Sequence, residues 1–175
     1  MKHRASSAKA RQIALSAVLG ACSLVVLYLA CYMPSGRMGM TAAAGLFPAA
    51  AVTSCGFGAG FLCYAGTAVL AMLLVGDKNV ALLYLLFFGL YPLIKGWIEK
   101  RDRLPLELVM KLAIFNLYAV LIFSGLSGLL TGMLPASNLP PTILLVIGNV
   151  VFLLYDYGFS KVLTFYRLRV DRVLH

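Results

Sequence analysis

The chain has 175 residues, of which 62% are hydrophobic and 12% charged. Soluble globular domains average about 45–50% apolar and about 25% charged residues, so this composition excludes a soluble globular domain. It indicates a polytopic membrane protein. Because a helix needs about 20 apolar residues to cross the bilayer, the length predicts a single membrane domain over 1–175 with six spans and no second domain.

Apolar runs separated by glycine, proline or charged residues predict the six spans of an all-α bundle. The spans cover about 13–33, 38–55, 57–75, 80–98, 106–134 and 142–166. Pro48 and Pro92 are each expected to kink their helices, because proline lacks a backbone N–H. The basic segment before span 1 could also begin a secretory signal with a lipoprotein-like box ending at Cys22. The apolar run continues past that residue, however, which favours a span.

The distribution of the basic residues predicts the topology. If the N-terminus is cytoplasmic, 13 of the 15 Lys and Arg residues fall on the cytoplasmic side, and only Arg37 and Lys78 fall outside. This excess is typical of cytoplasmic loops, so both termini are expected inside. The basic residues flank helices in short groups, which suits anionic lipid headgroups. They lack the interleaved aromatics of a nucleic-acid-binding surface, so no nucleic acid is expected.

The sequence predicts neither an enzyme nor a metal or cofactor site. His3 and His175 lie in the terminal tails, which leaves no histidine within a span as a base, ligand or proton relay. The cysteines have no CxxC spacing and are expected to be reduced, buried thiols. They are Cys22, Cys31, Cys55 and Cys63.

Asp156 is the only acidic residue well inside a predicted span, and Lys95 and Lys111 lie at similar depth in spans 4 and 5. Ionisable groups within the membrane face protein, water or a ligand, because they are costly in lipid. We therefore expect a buried ion pair of Asp156 with Lys111 or Lys95 that locks these spans together. The alternatives are a proton or cation site and a contact with a partner.

Polar residues at mid-span and near the outer ends of the spans are candidates for binding a small solute. They are Arg37, Asn79, Tyr84, Asn116, Ser124 and Asn149. The two asparagines could instead form hydrogen bonds between helices. The tyrosine also fits an interfacial aromatic belt, and the arginine could contact lipid headgroups.

Span 1 carries a stripe of small residues. Ala10, Ala14, Ala17 and Ala21 recur at spacings of four, three and four, which places them on one helix face. Small residues at this period allow another helix to approach closely. That helix belongs either to the same chain or to a partner.

With six spans in fewer than 200 residues, both termini inside, a basic segment before span 1 and the face containing Ala17 and Ala21, the chain resembles a known family. This family is the substrate-binding S components of energy-coupling factor (ECF) vitamin transporters. In it, an alanine-x-x-x-alanine pattern on span 1 docks the transmembrane coupling subunit, which two cytoplasmic ATPases drive. The resemblance implies docking through Ala14, Ala17 and Ala21, uptake of a small vitamin-like solute, and a bacterial plasma membrane.

Two other functions are open at this point. Rod-shape-determining membrane scaffolds are also short multi-span chains without catalytic groups, and would use the same small-residue faces. A stand-alone transporter would use Asp156 as its coupling site. A pocket that opens outward near spans 4 to 6 would favour the S component, whereas a closed and dry outer face would favour the scaffold.

Overall fold

The computed structural model describes the backbone of residues 2–33, 35–98, 104–125 and 140–174. Side chains are described within these ranges except at 2–8, 104–106, 122–125, 141, 144 and 170–174. Every regular element in the described ranges is a helix, which confirms the all-α class. Five helical segments there are long and apolar enough to cross a membrane, as expected of a multi-pass membrane protein.

The helices of residues 2–98 follow one another through short connections. The described helices, in chain order, are α1 (Lys2–Tyr32), α2 (Arg37–Ala44), α3 (Leu46–Cys55), α4 (Phe57–Leu74), α5 (Lys78–Leu83), a π-helical turn called the π-turn (Tyr84–Phe88), α6 (Tyr91–Ile98), α7 (Leu104–Gly125) and α8 (Pro141–Leu174). Because the described connections between the first four spans leave no room for a crossover, each of these spans runs antiparallel to the next.

The candidate spans agree closely with five of the six predicted ones. They cover Lys9–Tyr32, Arg37–Cys55, Phe57–Leu74, Lys78–Ile98 and Leu145–Arg169. Helix α7 covers the first part of the predicted span 106–134, whose residues 126–134 lie outside the described residues. The sixth span and the cytoplasmic location of the termini therefore stay predictions.

Two polar contacts mark the two ends of the bundle. At the end that holds the α3–α4 connection, Ser54 Oγ lies 3.0 Å from Tyr166 Oη of α8. Gly56 makes this connection alone, and its φ of 90° is a conformation that favours glycine. At the opposite end, Arg37 Nη1 lies 3.1 Å from Asp77 Oδ2, which links the start of α2 to the start of α5.

Helix α1 packs on the rest of the chain through one face. Ser16, Ser23, Leu27 and Ala30 are buried, and their spacings of seven, four and three place them on one side of the helix. Helices α2, α3 and α4 lie against α1. The other side of α1 stays exposed in the described structure, including Val18 and Val25.

Span 2 is broken into α2 and α3 at Gly45, just before Pro48. Proline cannot donate a hydrogen bond to the carbonyl four residues back, which here is that of Ala44. Ser23 Oγ of α1 donates to this carbonyl at 2.9 Å and lies 3.3 Å from Tyr84 Oη. A side chain of a neighbouring helix therefore supplies the hydrogen bond that the proline removes.

Span 4 is broken in the same way. The π-turn closes with a hydrogen bond from the Gly89 amide to the Tyr84 carbonyl at 2.8 Å, and α6 then begins just before Pro92. Tyr64 Oη of α4 donates to the Leu85 carbonyl within the turn, also at 2.8 Å. Pro92 cannot bond to the Phe88 carbonyl. Both predicted proline sites are thus interruptions of their helices.

The two breaks lie side by side in the core. A Cβ added to Gly45 would overlap the carbonyl oxygen of Phe88, so the backbones of spans 2 and 4 approach more closely than a side chain would permit. Only glycine allows this contact without a shift of the helices. The carbonyls of Ala44 and Phe88, each of which lacks its helical hydrogen-bond donor because of a proline, therefore both lie close to the contact between Gly45 and Phe88.

We expect the effect of Ser23→Ala to depend on Pro48. Loss of the hydroxyl leaves the Ala44 carbonyl without its donor, which should lower the free energy of unfolding by about 1–3 kcal/mol. In a Pro48→Ala background the restored amide bonds to that carbonyl, so the loss should shrink. SDS titration followed by far-UV circular dichroism measures both. Thr164→Ala, at an exposed hydroxyl, is the control, and equal losses in both backgrounds would contradict this role.

Candidate functional site

A cluster of buried charges joins three helices near the end of the bundle that holds Gly56. Asp156 of α8 lies between Lys95 of α6 and Lys111 of α7. Its Oδ1 is 2.5 Å from Lys95 Nζ, and its Oδ2 is 3.0 Å from Lys111 Nζ. The lysine side chains are only 2% and 4% exposed. The three residues that the sequence singles out as a buried ion pair thus lie together.

Further polar side chains complete this charged cluster. Tyr91 Oη donates to Asp156 Oδ1 at 2.5 Å, and Lys95 Nζ donates to Ser160 Oγ at 2.8 Å. Glu107, one turn before Lys111, forms a second ion pair with it. These residues therefore include two ammonium groups and two carboxylates. The equal number of positive and negative groups stabilises the cluster, because removing the partner of a buried charge costs several kcal/mol.

An aromatic layer lies beside the charged cluster. The Phe87 ring of the π-turn packs on Tyr91 with centroids 5.7 Å apart, and Phe115 of α7 stacks on Phe152 of α8 at 4.6 Å. Phe87 also makes an edge contact with Phe152. These rings fill the space between span 4 and the last two helices, so this region is a packed core. The stacked and edge-to-face arrangements of these rings favour close packing of the helices.

Asn116 and Asn149 form a reciprocal amide pair between α7 and α8. Each Nδ2 donates to the Oδ1 of the other, at 3.0 and 3.1 Å. Each also donates to a backbone carbonyl in its own helix, at 2.8 Å. Both N–H groups of each amide therefore have partners within the protein. This arrangement is the interhelical hydrogen bond that the sequence left as an alternative to solute binding.

The remaining candidates for solute binding lie elsewhere. Arg37 pairs with Asp77, which also accepts a hydrogen bond from the backbone N–H of Asn79 and so caps α5. Tyr84 is fully buried and lies next to Ser23 of α1. Ser124 belongs to α7, but its side chain lies outside the described residues. The six predicted residues therefore do not form one site among the described side chains.

The alanine face of α1, Ala14, Ala17 and Ala21, is exposed. The buried face of the same helix runs through Ser16 and Ser23. In the part of the chain that the structure describes, no helix covers the alanines. The sequence left open a contact between these alanines and another helix of the same chain. In the described structure these alanines do not make that contact.

A tetrapeptide that is repeated in the chain marks both breaks and was not among the predicted features. Gly45–Pro48 reads Gly-Leu-Phe-Pro and Gly89–Pro92 reads Gly-Leu-Tyr-Pro, and each stands at the break of its span. An internal comparison of the chain would have found it. Tyr91 within the second copy contacts Asp156. Ser23 and Ser160 carried no such signal, because their partners are distant in sequence.

Comparison with known proteins finds no relative. No protein-family model, no curated protein and no solved structure matches the chain. Its function has to be inferred from the contacts of its own residues.

We expect Asp156→Asn to destabilise the bundle strongly. The substitution removes the carboxylate charge shared by Lys95 and Lys111, and breaking a buried pair costs about 3–5 kcal/mol. The matched control is Asp77→Asn, which breaks a more exposed pair yet keeps an oxygen to cap α5, and should cost about 0–1 kcal/mol. SDS titration followed by circular dichroism compares the two. Similar small losses would show that the charged cluster does not hold the helices together.

The amide pair should behave as a unit. Asn116→Leu strands the amide of Asn149 in an apolar layer and should cost about 0.6–2 kcal/mol. In the double variant Asn116→Leu/Asn149→Leu no amide is stranded, so much of this loss should be recovered. The same unfolding titration measures the coupling. Additive losses would mean that the two amides contribute independently of each other.

Proposed function

We propose that the chain is a membrane-embedded subunit of a larger assembly and that it docks on a partner helix through the alanine face of α1. The observation that carries this proposal is the orientation of α1. Its buried side chains already pack within the chain, whereas Ala14, Ala17 and Ala21 face outward. Helices associate in lipid through close van der Waals packing at such small residues.

The form of assembly that we favour is an ATP-driven ECF-type uptake transporter. In this proposal the chain captures a small, vitamin-like solute, and α1 docks on the transmembrane coupling subunit that two ATPases drive. The architectural resemblance and the exposed alanine face support it. The solute would enter from the end of the bundle near Arg37 and Asn79, where the chain carries few basic residues.

A membrane scaffold is the second candidate, and the polar contacts favour it. Asn116 and Asn149 bond to each other, Arg37 pairs with Asp77, and Tyr84 is fully buried. Side chains with partners in the protein act as helix contacts and are less available to a solute. A scaffold would use the same alanine face to bind a partner helix, without a solute or ATPases.

Enlarging the alanine face should abolish assembly without unfolding the chain. In Ala17→Leu/Ala21→Leu the added side chains keep a partner helix at a distance, and we expect at least about a tenfold loss of the co-purified partner, or 1.4 kcal/mol. Affinity purification from native membranes with quantitative mass spectrometry measures this loss. The matched control is Ala113→Leu, at an exposed alanine of α7. Equal partner recovery from both variants would overturn the proposal.

The identity of what co-purifies distinguishes the two candidates. ATPase subunits together with a small molecule retained in native mass spectrometry support the uptake transporter. A membrane partner without ATPases and without a retained small molecule supports the scaffold.

A further inference from the structure

Helix α6 is a short segment with a weak connection to the rest of its span. Before it come the wide π-turn and then Gly89 and Leu90, which belong to no helix. Pro92 removes the hydrogen bond that would otherwise tie α6 back to the Phe88 carbonyl. Single π-helical turns inside a span recur at functional sites. The regular backbone hydrogen bonding of span 4 is therefore interrupted at this point, where the Tyr64 and Tyr84 rings pack closely on Gly89.

The break in span 2, which lies beside the break in span 4, also permits movement. Gly45, at the break of span 2, presents no side chain to the Phe88 carbonyl. Gly45 itself therefore contributes only backbone atoms to this contact. A rotation at Gly89 therefore does not require an interlocked side chain of residue 45 to leave its place.

Helix α6, which forms the second half of span 4, is held to α8 by specific polar contacts. Tyr91 and Lys95 both bond to Asp156 Oδ1, and Lys95 also bonds to Ser160. Asp156 and Ser160 are one turn apart, so these contacts lie on one face of α8. The side chains of the first half of span 4 instead bond to other helices, as Tyr84 does with Ser23. The two halves of the span thus differ in their hydrogen-bond partners, although the Phe87 and Phe88 rings also contact α8.

One buried polar group remains unsatisfied at the same place. The Tyr155 hydroxyl has no hydrogen-bond partner among the described side chains, and its ring contacts Phe88 before the break and Tyr91 after it. A buried hydroxyl without a partner is destabilising. The closed packing of α6 on α8 therefore carries a cost that a different position of α6 can relieve.

We propose that α6 is a hinged half-helix, with its hinge at Gly89 and Leu90 and Asp156 as the latch that holds it against α8. When the latch opens, α6 swings away from α8 and exposes the charged cluster. This switch goes beyond the docking function proposed above, because it uses no residue of α1. It depends on the location of the Asp156 contacts: those that the structure describes on span 4 come from Tyr91 and Lys95, after Gly89 and Leu90.

Hydrogen exchange of the full chain in lipid nanodiscs tests the hinge. In Asp156→Asn, the amides of 91–98 should exchange at least about tenfold faster, while those of 78–83 keep their rates, since only the segment after the hinge is released. Trp97, the only tryptophan, lies on α6 and reports the same movement through quenching by brominated lipids.

Two further variants separate the hinge from general loosening. Pro92→Ala restores the amide that bonds to the Phe88 carbonyl, so in the Asp156→Asn background it should return exchange in 91–98 toward the wild-type rate. Glu107→Gln alters the charged cluster without touching the contact between α6 and α8, and should leave these rates unchanged. Should Asp156→Asn fail to fold, Lys95→Met opens the latch from α6 and should give the same pattern.

The proposal is overturned if exchange rises equally before and after Gly89, because the span then loosens as a whole. It is also overturned if Pro92→Ala does not slow the exchange, or if 91–98 stay protected when the latch is removed. Circular dichroism and a single symmetric peak in size-exclusion chromatography establish that each variant is folded.

Discussion

Backbone hydrogen bonding in an apolar medium is the constraint on which this structure depends. Lipid offers no donors, so each interrupted helix needs a partner from within the protein. Spans 2 and 4 are interrupted by a glycine followed three residues later by a proline, and Ser23 of α1 supplies the donor that Pro48 removes. The position of α1 in the bundle is therefore tied to the break in span 2. The second break, at Gly89, lies beside the first.

Charge at membrane depth follows the same rule. Lys95, Lys111 and Asp156 come from three helices, and none of these groups could be buried without the others. The amide pair between α7 and α8 repeats this principle with neutral groups. Polar side chains within the described bundle thus mainly connect helices. This explains why four of the side chains that the sequence offers as solute ligands have protein partners in the structure, namely Arg37, Tyr84, Asn116 and Asn149.

The contrast between the two faces of α1 links the fold to the proposed function. One face, through Ser23 and Leu27, is part of the core, and the other presents alanines outward. A large exposed residue would pack well against lipid, whereas a small one favours another helix. Movement of α6 would occur on a different helix from this docking face. Docking and the hinge are therefore separable properties of one bundle.

The sequence by itself determined the helical class, the positions of five candidate spans and the interruptions at Pro48 and Pro92, because hydrophobic run length and the missing proline N–H are local properties. It also identified Asp156 as a charge that needs a partner. Only the tertiary structure decided which groups meet, since Ser23 and the Ala44 carbonyl, or Asp156 and Lys95, are far apart in the chain. The same holds for the outward face of α1, because helical periodicity groups residues on one side without showing which side is covered.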